Sequence, residues 1–195
     1  MTNSPAVSVA VLVSGSGTLL QAILDNQGSD YRVDLVVADQ DCPALDRAAA
    51  AGVTTQTVPL EGDRAEWNER MRDTVAAAAP DVVVSAGFMR ILGHAFLEKF
   101  EGMLINTHPA LLPSFPGAHA VRDALAYGVK VTGTTVHYID EGVDTGRIIA
   151  QRAVAVRDGE SEAELHERIK QEERALIVDV LRRTTHDNNG KVTFP

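Results

Sequence analysis

The stretch Val7-Ser8-Val9-Ala10-Val11-Leu12-Val13-Ser14-Gly15-Ser16-Gly17-Thr18, continuing into Leu19-Leu20-Gln21-Ala22-Ile23-Leu24-Asp25, decides the fold. Residues 7–13 are almost all apolar and mostly β-branched, the pattern of a parallel strand covered on both faces. A glycine- and serine-rich turn follows, then apolar residues at helical spacing, with Gly28 placed to end the helix. Such a turn presents backbone N–H groups and a helix N-terminus to an anion, so the turn Ser14 to Thr18 is a candidate phosphate seat. Leu20 stands where a third dinucleotide-fingerprint glycine is expected, and no Gly-Lys-Ser/Thr follows. A tight turn with no ligand therefore stays open as the alternative.

The same unit repeats outward from this stretch. Strands are expected at residues 33–39, 54–58, 81–87, 103–106, 131–139 and 147–154, and helices at 43–50, 64–79, 118–127 and 161–183. Short strands alternating with helices predict an α/β fold: a Rossmann-like, doubly wound, mostly parallel sheet flanked by helices. Ligands of such sheets lie beyond the carboxyl ends of the strands. Asp39 ends the second strand, where a Rossmann protein holds a ribose; turn chemistry with Asp41 ahead of a helix is the preferred reading. A single domain is expected over 1–195, with a nucleotide-binding half at 6–100 and a catalytic half at 101–185. The tail 186–195 is expected to be loose.

Composition limits the partners. A net charge of −9 argues against phosphate-neutralising nucleic-acid binding and favours small-molecule ligands. Cys42 is the only cysteine, so no internal disulfide can form, and a reducing compartment is expected. Met1 to Pro5 has no basic leader region, and no apolar run approaches the roughly 20 residues of a membrane span. A cytoplasmic protein with no membrane partner, monomeric or homodimeric, is the expectation.

Polar chemistry concentrates between residues 106 and 146. Asn106-Thr107-His108-Pro109 follows a strand, and Asp140-Glu141-Gly142-Val143-Asp144 lies in a loop after another. An amide, an imidazole and a carboxylate suffice to hold an oxyanion, move a proton and tune the group that moves it. Spacing alone leaves two readings of the acidic loop, a hydrated turn or a loop that brings Asp144 to His108. A metal site from His108, His137 and Asp144 is an outside alternative. His137 lies within a strand and reads as structural; His119 is not assigned.

These residues resemble the phosphoribosylglycinamide formyltransferase family over nearly the whole chain. The resemblance is carried by Val13-Ser14-Gly15-Ser16-Gly17, Phe88-Met89-Arg90-Ile91-Leu92, Asn106-Thr107-His108-Pro109, Leu111-Leu112-Pro113, Phe115-Pro116-Gly117, Val131-Thr132-Gly133 and Gly142-Val143-Asp144-Thr145-Gly146. It implies transfer of the formyl group of 10-formyltetrahydrofolate to the amine of glycinamide ribonucleotide in purine synthesis, with no metal. It implies Asn106, His108 and Asp144 as the catalytic trio, with Asp144 favouring the charged form of the His108 ring. Gly17, Thr18, Leu19, Lys170, Gln171, Glu172 and Glu173 match the ribonucleotide site, although the family commonly has asparagine where Leu19 stands. Arg64, Met89, Arg90, Ile91 and Leu92, with Asn106 and Asp140, Glu141, Gly142, Val143 and Asp144, match the folate site. Related enzymes that formylate methionyl-tRNA or deformylate folate carry extra domains, for which 195 residues leave no room. A formyl-folate hydrolase and a non-catalytic nucleotide-binding module are the alternatives in function.

Overall fold

In the computed structural model, which describes residues 5–195, seven strands form one sheet in the order β3-β2-β1-β4-β5-β6-β7. The N-terminal Met1 to Ser4, read above for a leader, lies outside the described residues. The elements run β1 (Val7–Val13), α1 (Thr18–Asp25), β2 (Tyr31–Ala38), α2 (Pro43–Ala50), β3 (Thr54–Thr57), α3 (Arg64–Ala77), β4 (Val82–Ser85) and α4 (His94–Lys99). They continue with β5 (Leu104–His108), α5 (Ala120–Tyr127), β6 (Val131–Tyr138), β7 (Ile148–Ala155), α6 (Glu162–Arg183), β8 (Thr185–His186) and β9 (Val192–Thr193). The first five sheet strands are mutually parallel, and β6 and β7 pair antiparallel, so the mostly parallel, doubly wound expectation holds.

β1 shows how the sequence builds the two layers. Val7, Val9, Val11 and Val13 join a core shared with α1, α2 and α6, while Ala10 and Leu12 join a second core with α3 and α4. Side chains alternate across a strand, so an uninterrupted apolar run fills both faces. Full burial of each such side chain contributes roughly 1.5–3 kcal/mol, which places most of the stability at the centre of the sheet. Trp67 of α3 is fully buried and donates its indole N–H to Val58 O at 2.9 Å, so no polar atom of the ring is left unmade. The two longest helices have side-chain caps. Asp63 accepts from the N–H groups of Ala65 and Glu66, and Ser161 and Glu164 form a reciprocal capping box on α6.

Three expectations change. The strand expected at 103–106 begins at Leu104 and runs on through His108, so the histidine is the last residue of a strand and inherits its rigidity. The six-residue α4 was not anticipated, because one short turn of helix has almost no periodic signal. The tail expected to be loose closes a hairpin in which β8 pairs with β9. Asp187 Oδ1 accepts from the N–H groups of Asn189 and Lys191, and Gly190 supplies the positive φ of 76°. Asn-Asn-Gly is thus a hairpin turn, and it buries Val192 and sets Phe194 edge-on to Tyr138 at 5.5 Å.

Gly133 in β6 shows how closely the sheet approaches the loop after β5. A Cβ there would fall on the Arg152 carbonyl oxygen of β7 and come within 2.9 Å of Leu111 Cδ2. Gly133→Ala is expected to destabilise the fold by about 1–3 kcal/mol, read as a lower urea midpoint at unchanged slope.

Candidate active site

The carboxyl ends of β1, β4 and β5 lie on one edge of the sheet, because these neighbouring strands are parallel. The turn at Gly15 to Thr18, the segment Met89 to Leu92 and His108 therefore share that edge. β5 supplies the centre. Asn106 and His108 are two residues apart and project from one face, and Thr107 projects from the other.

His108 is almost fully buried, and both of its ring nitrogens meet acceptors. Nε2 lies 2.8 Å from Phe115 O and Nδ1 lies 3.3 Å from Asp144 Oδ2. A carbonyl and a carboxylate can only accept, so the doubly protonated ring satisfies both partners at once. Asp144 Oδ2 also accepts the Gly117 N–H at 2.7 Å, which ties the acidic loop to the loop after β5. The chain puts Asp144 in the left-handed region, at φ 56°, a conformation that aspartate tolerates better than most residues. The hydrated-turn reading of this residue is set aside by that contact.

His137 was expected to be structural, yet it joins the trio. The antiparallel register sets it opposite Asn106, with Nε2 3.3 Å from Asn106 Nδ2 and 3.6 Å from Asp144 Oδ1. Its Nδ1 lies 2.8 Å from Tyr138 O, so that nitrogen carries the proton. Burial pushes the ring's pKa down from its ordinary value, against the opposing pull of the Tyr138 carbonyl and Asp144. A neutral ring accepts at Nε2, which turns the Asn106 amide so that Nδ2 faces it and leaves the second N–H for a ligand. Nothing in the sequence signals this contact, since it depends on which residue of β6 faces β5. Among the described residues no group of histidine, cysteine, aspartate or glutamate is arranged to hold a metal ion. His119 is exposed at the N-cap of α5, without a side-chain cap.

The other face of β5 meets α6. Thr107 donates its hydroxyl to Glu173 Oε1. Burial drives the Glu173 pKa up, offset in part by Thr107 and by Lys170 one turn away. Glu172 is turned to Arg152 of β7, 3.3 Å from its Nη1, so it already has a partner; Gln171 is exposed. At the glycine turn, Gly17 has φ 70°, and a Cβ would meet Ala44 of α2 at 2.7 Å. Only glycine lets α2 brace the turn this closely. Leu19 is buried in the core, so its side chain is turned away from any phosphate, while Thr18 is exposed.

The segment expected to meet folate is held by side chains. Arg64 Nη2 donates to Ile91 O at 2.5 Å and its guanidinium lies 4.9 Å over the Trp67 ring. Met89, Ile91 and Val143 are exposed, whereas Leu92 packs into the core with Trp67 and Phe96. Asp140 Oδ1 accepts from Gly142 N and Thr145 Oγ1, forming a tight acidic turn, and exposed Glu141 pairs with His94 Nδ1 at 3.0 Å.

Residues 7–181 match the family model described as formyl transferase. A phosphoribosylglycinamide formyltransferase of Mycobacterium tuberculosis is 54% identical over 179 residues, covering 90% of this chain and 83% of that protein. The enzyme of the same name from Escherichia coli is 38% identical, covering 87% of this chain and 83% of its own. The crystal structure of glycinamide ribonucleotide transformylase 1 from Symbiobacterium toebii superposes with a TM-score of 0.88 at 37% identity, covering 97% of this chain and 94% of that one.

The raised Glu173 carboxyl has a measurable consequence. Folding holds the proton more tightly than the unfolded chain does, so the group's stabilising contribution is complete below the unfolded pKa and is lost as pH rises through the folded one. Glu173→Gln keeps an acceptor for Thr107 without the charge. The variant is expected to melt about 2–4 °C above the parent near pH 8, with the gap closing toward pH 4, by calorimetry.

Proposed function

The chain belongs to the formyl transferase family, and from that premise we infer that it transfers a formyl group from 10-formyltetrahydrofolate to the amine of glycinamide ribonucleotide, a one-carbon step of purine synthesis. The observation that carries this reading is that Asp144 meets His108 directly and lies beside Asn106 through His137 at the carboxyl end of β5, backed through Thr107 by Glu173.

The reaction needs three services from these residues. The amine nitrogen attacks the formyl carbon, a carbon–nitrogen bond forms, and the former formyl oxygen takes up negative charge. Asn106 donates its free Nδ2 N–H to that oxygen, and His108 donates from Nε2. In the free protein the Nε2 proton rests on Phe115 O, a neutral acceptor; a charged oxyanion competes better for it. Asp144 Oδ2, 3.3 Å from Nδ1, holds the ring in place from the other side. Collapse of the intermediate breaks the bond to folate N10, and the proton lost by the attacking amine ends on N10. His108 is placed to relay it.

The substrates are held around this centre. Gly17, Thr18 and Leu19 offer backbone N–H groups at the start of α1 to the ribonucleotide phosphate, with Lys170 and Gln171 from α6 completing the site. Loss of the asparagine amide at Leu19 is tolerated because those donors are main-chain. Glu173 receives the substrate as its ammonium, whose positive charge compensates the burial that raises its pKa, and takes up the proton that must leave before the nitrogen can attack. Glu172 acts at one remove, through Arg152. The folate ring lies against Met89, Ile91 and Val143 and is read by the backbone from Arg90 to Leu92, with Arg64, Asp140, Glu141 and Gly142 shaping the rim. The protein works on small molecules, and among the described residues no helix is long and apolar enough to cross a membrane.

Two measurements test the reading. With both substrates present, formyl transfer is expected, and formate release without the ribonucleotide would instead mark a hydrolase. Asp144→Asn and Asn106→Ala are each expected to lower kcat about 100- to 1000-fold with both KM values within about threefold, as fits groups acting on the transition state.

A further inference from the structure

Asp39 follows β2 and has a side chain only 1% exposed. Its Oδ2 receives the Arg90 Nε N–H at 2.6 Å, while its Oδ1 is buried with no hydrogen-bond partner among the described residues. The ribose reading of this position therefore gives way to a pairing within the protein, and so does the turn reading. A buried carboxylate with one oxygen unsatisfied is costly to keep, and a buried ion pair is in general weak evidence for added stability.

Arg90 shows where that cost is applied. It belongs to the segment Met89 to Leu92, which has neither helix nor strand, and whose Met89 and Ile91 side chains are 78% and 76% exposed. Without a regular backbone ladder, such a segment keeps its shape only through anchors. Ser14 Oγ accepts from Met89 N at 2.9 Å, Arg64 holds Ile91 O, and Asn68 Oδ1 accepts from Gly93 N at 2.7 Å. Those three act on backbone groups. Asp39 is the anchor for the side chain between them, and it is charged.

We propose that Asp39 is a positioning residue for the folate substrate. By drawing the Arg90 guanidinium inward it fixes the backbone between Met89 and Ile91, so the apolar side chains on either side project as a paired platform. The inference rests on the reading of this segment as the folate site. The adjacent glycine turn shares the Ser14–Met89 bond with this segment but has two further anchors, Gln40 Nε2 to Ser14 O and Arg47 Nε to Ser16 O, so the ribonucleotide seat depends less on Asp39 than the folate segment does.

The test is steady-state kinetics of the full chain carrying Asp39→Ala or Asp39→Asn, with each KM measured at saturating co-substrate. Asp39→Ala is expected to raise the KM for 10-formyltetrahydrofolate about tenfold, as fits one charge-assisted hydrogen bond, with the ribonucleotide KM within about twofold and kcat within about threefold. Asp39→Asn, which keeps an acceptor for Arg90, is expected to fall between it and the parent. An unchanged folate KM, or an equal rise in both KM values, overturns the proposal. If the alanine variant does not fold, the asparagine variant decides alone by the same criterion. A parent protein that transfers no formyl group to the ribonucleotide would sink the underlying reading and this inference with it, a result distinct from a working parent with an indifferent variant.

Discussion

The antiparallel register between β5 and β6 is the constraint on which the site depends. It sets Asn106 opposite His137 and His108 opposite Thr135. Thr135 then donates its hydroxyl to Ala110 O and accepts the Leu112 N–H, so the same pairing that aligns Asn106 and His108 also fixes the start of the loop that follows them. Gln151 on β7 adds bonds to Leu112 O and to Thr135 Oγ1. A slip of one residue would turn every one of these side chains to the opposite face. Closure of β7 against Gly133 resists that slip.

Three acidic side chains at this edge are kept from bulk water, and each is matched differently. Asp144 Oδ2 meets the Gly117 N–H and the His108 ring. Asp39 is paired through one oxygen and acts on a loop. Glu173 has the Thr107 hydroxyl and only more distant positive groups, Lys170 first among them, against its burial, and its pKa rises. An under-compensated carboxylate is the fitting receptor for an amine, because the ligand supplies the missing positive charge.

Exposed apolar side chains gather at the same edge. Met89, Ile91 and Val143 stand in solvent from two loops at the catalytic edge, while Leu92, their neighbour in sequence, is buried among the aromatic side chains beneath. One buried residue holds the segment down, and Met89 and Ile91 beside it stand in solvent.

The sequence by itself determined the layered sheet, since uninterrupted β-branched runs such as residues 7–13 can be satisfied only between two helical layers. It also determined the glycine turn and placed Asn106 and His108 two residues apart toward the end of one strand, on one face, while its spacing left the place of Asp144 open. Tertiary structure alone decided the rest. His137 reaches Asn106 only through the pairing of two strands, Glu173 is buried only because Thr107 meets α6, and Asp39 finds Arg90 across 51 residues of chain. The tail folds back because β8 finds β9, a pairing that its turn residues permit but do not announce. Local periodicity is set by neighbours along the chain and is legible there. Partners across strands and helices depend on register and packing, which no single stretch of sequence records.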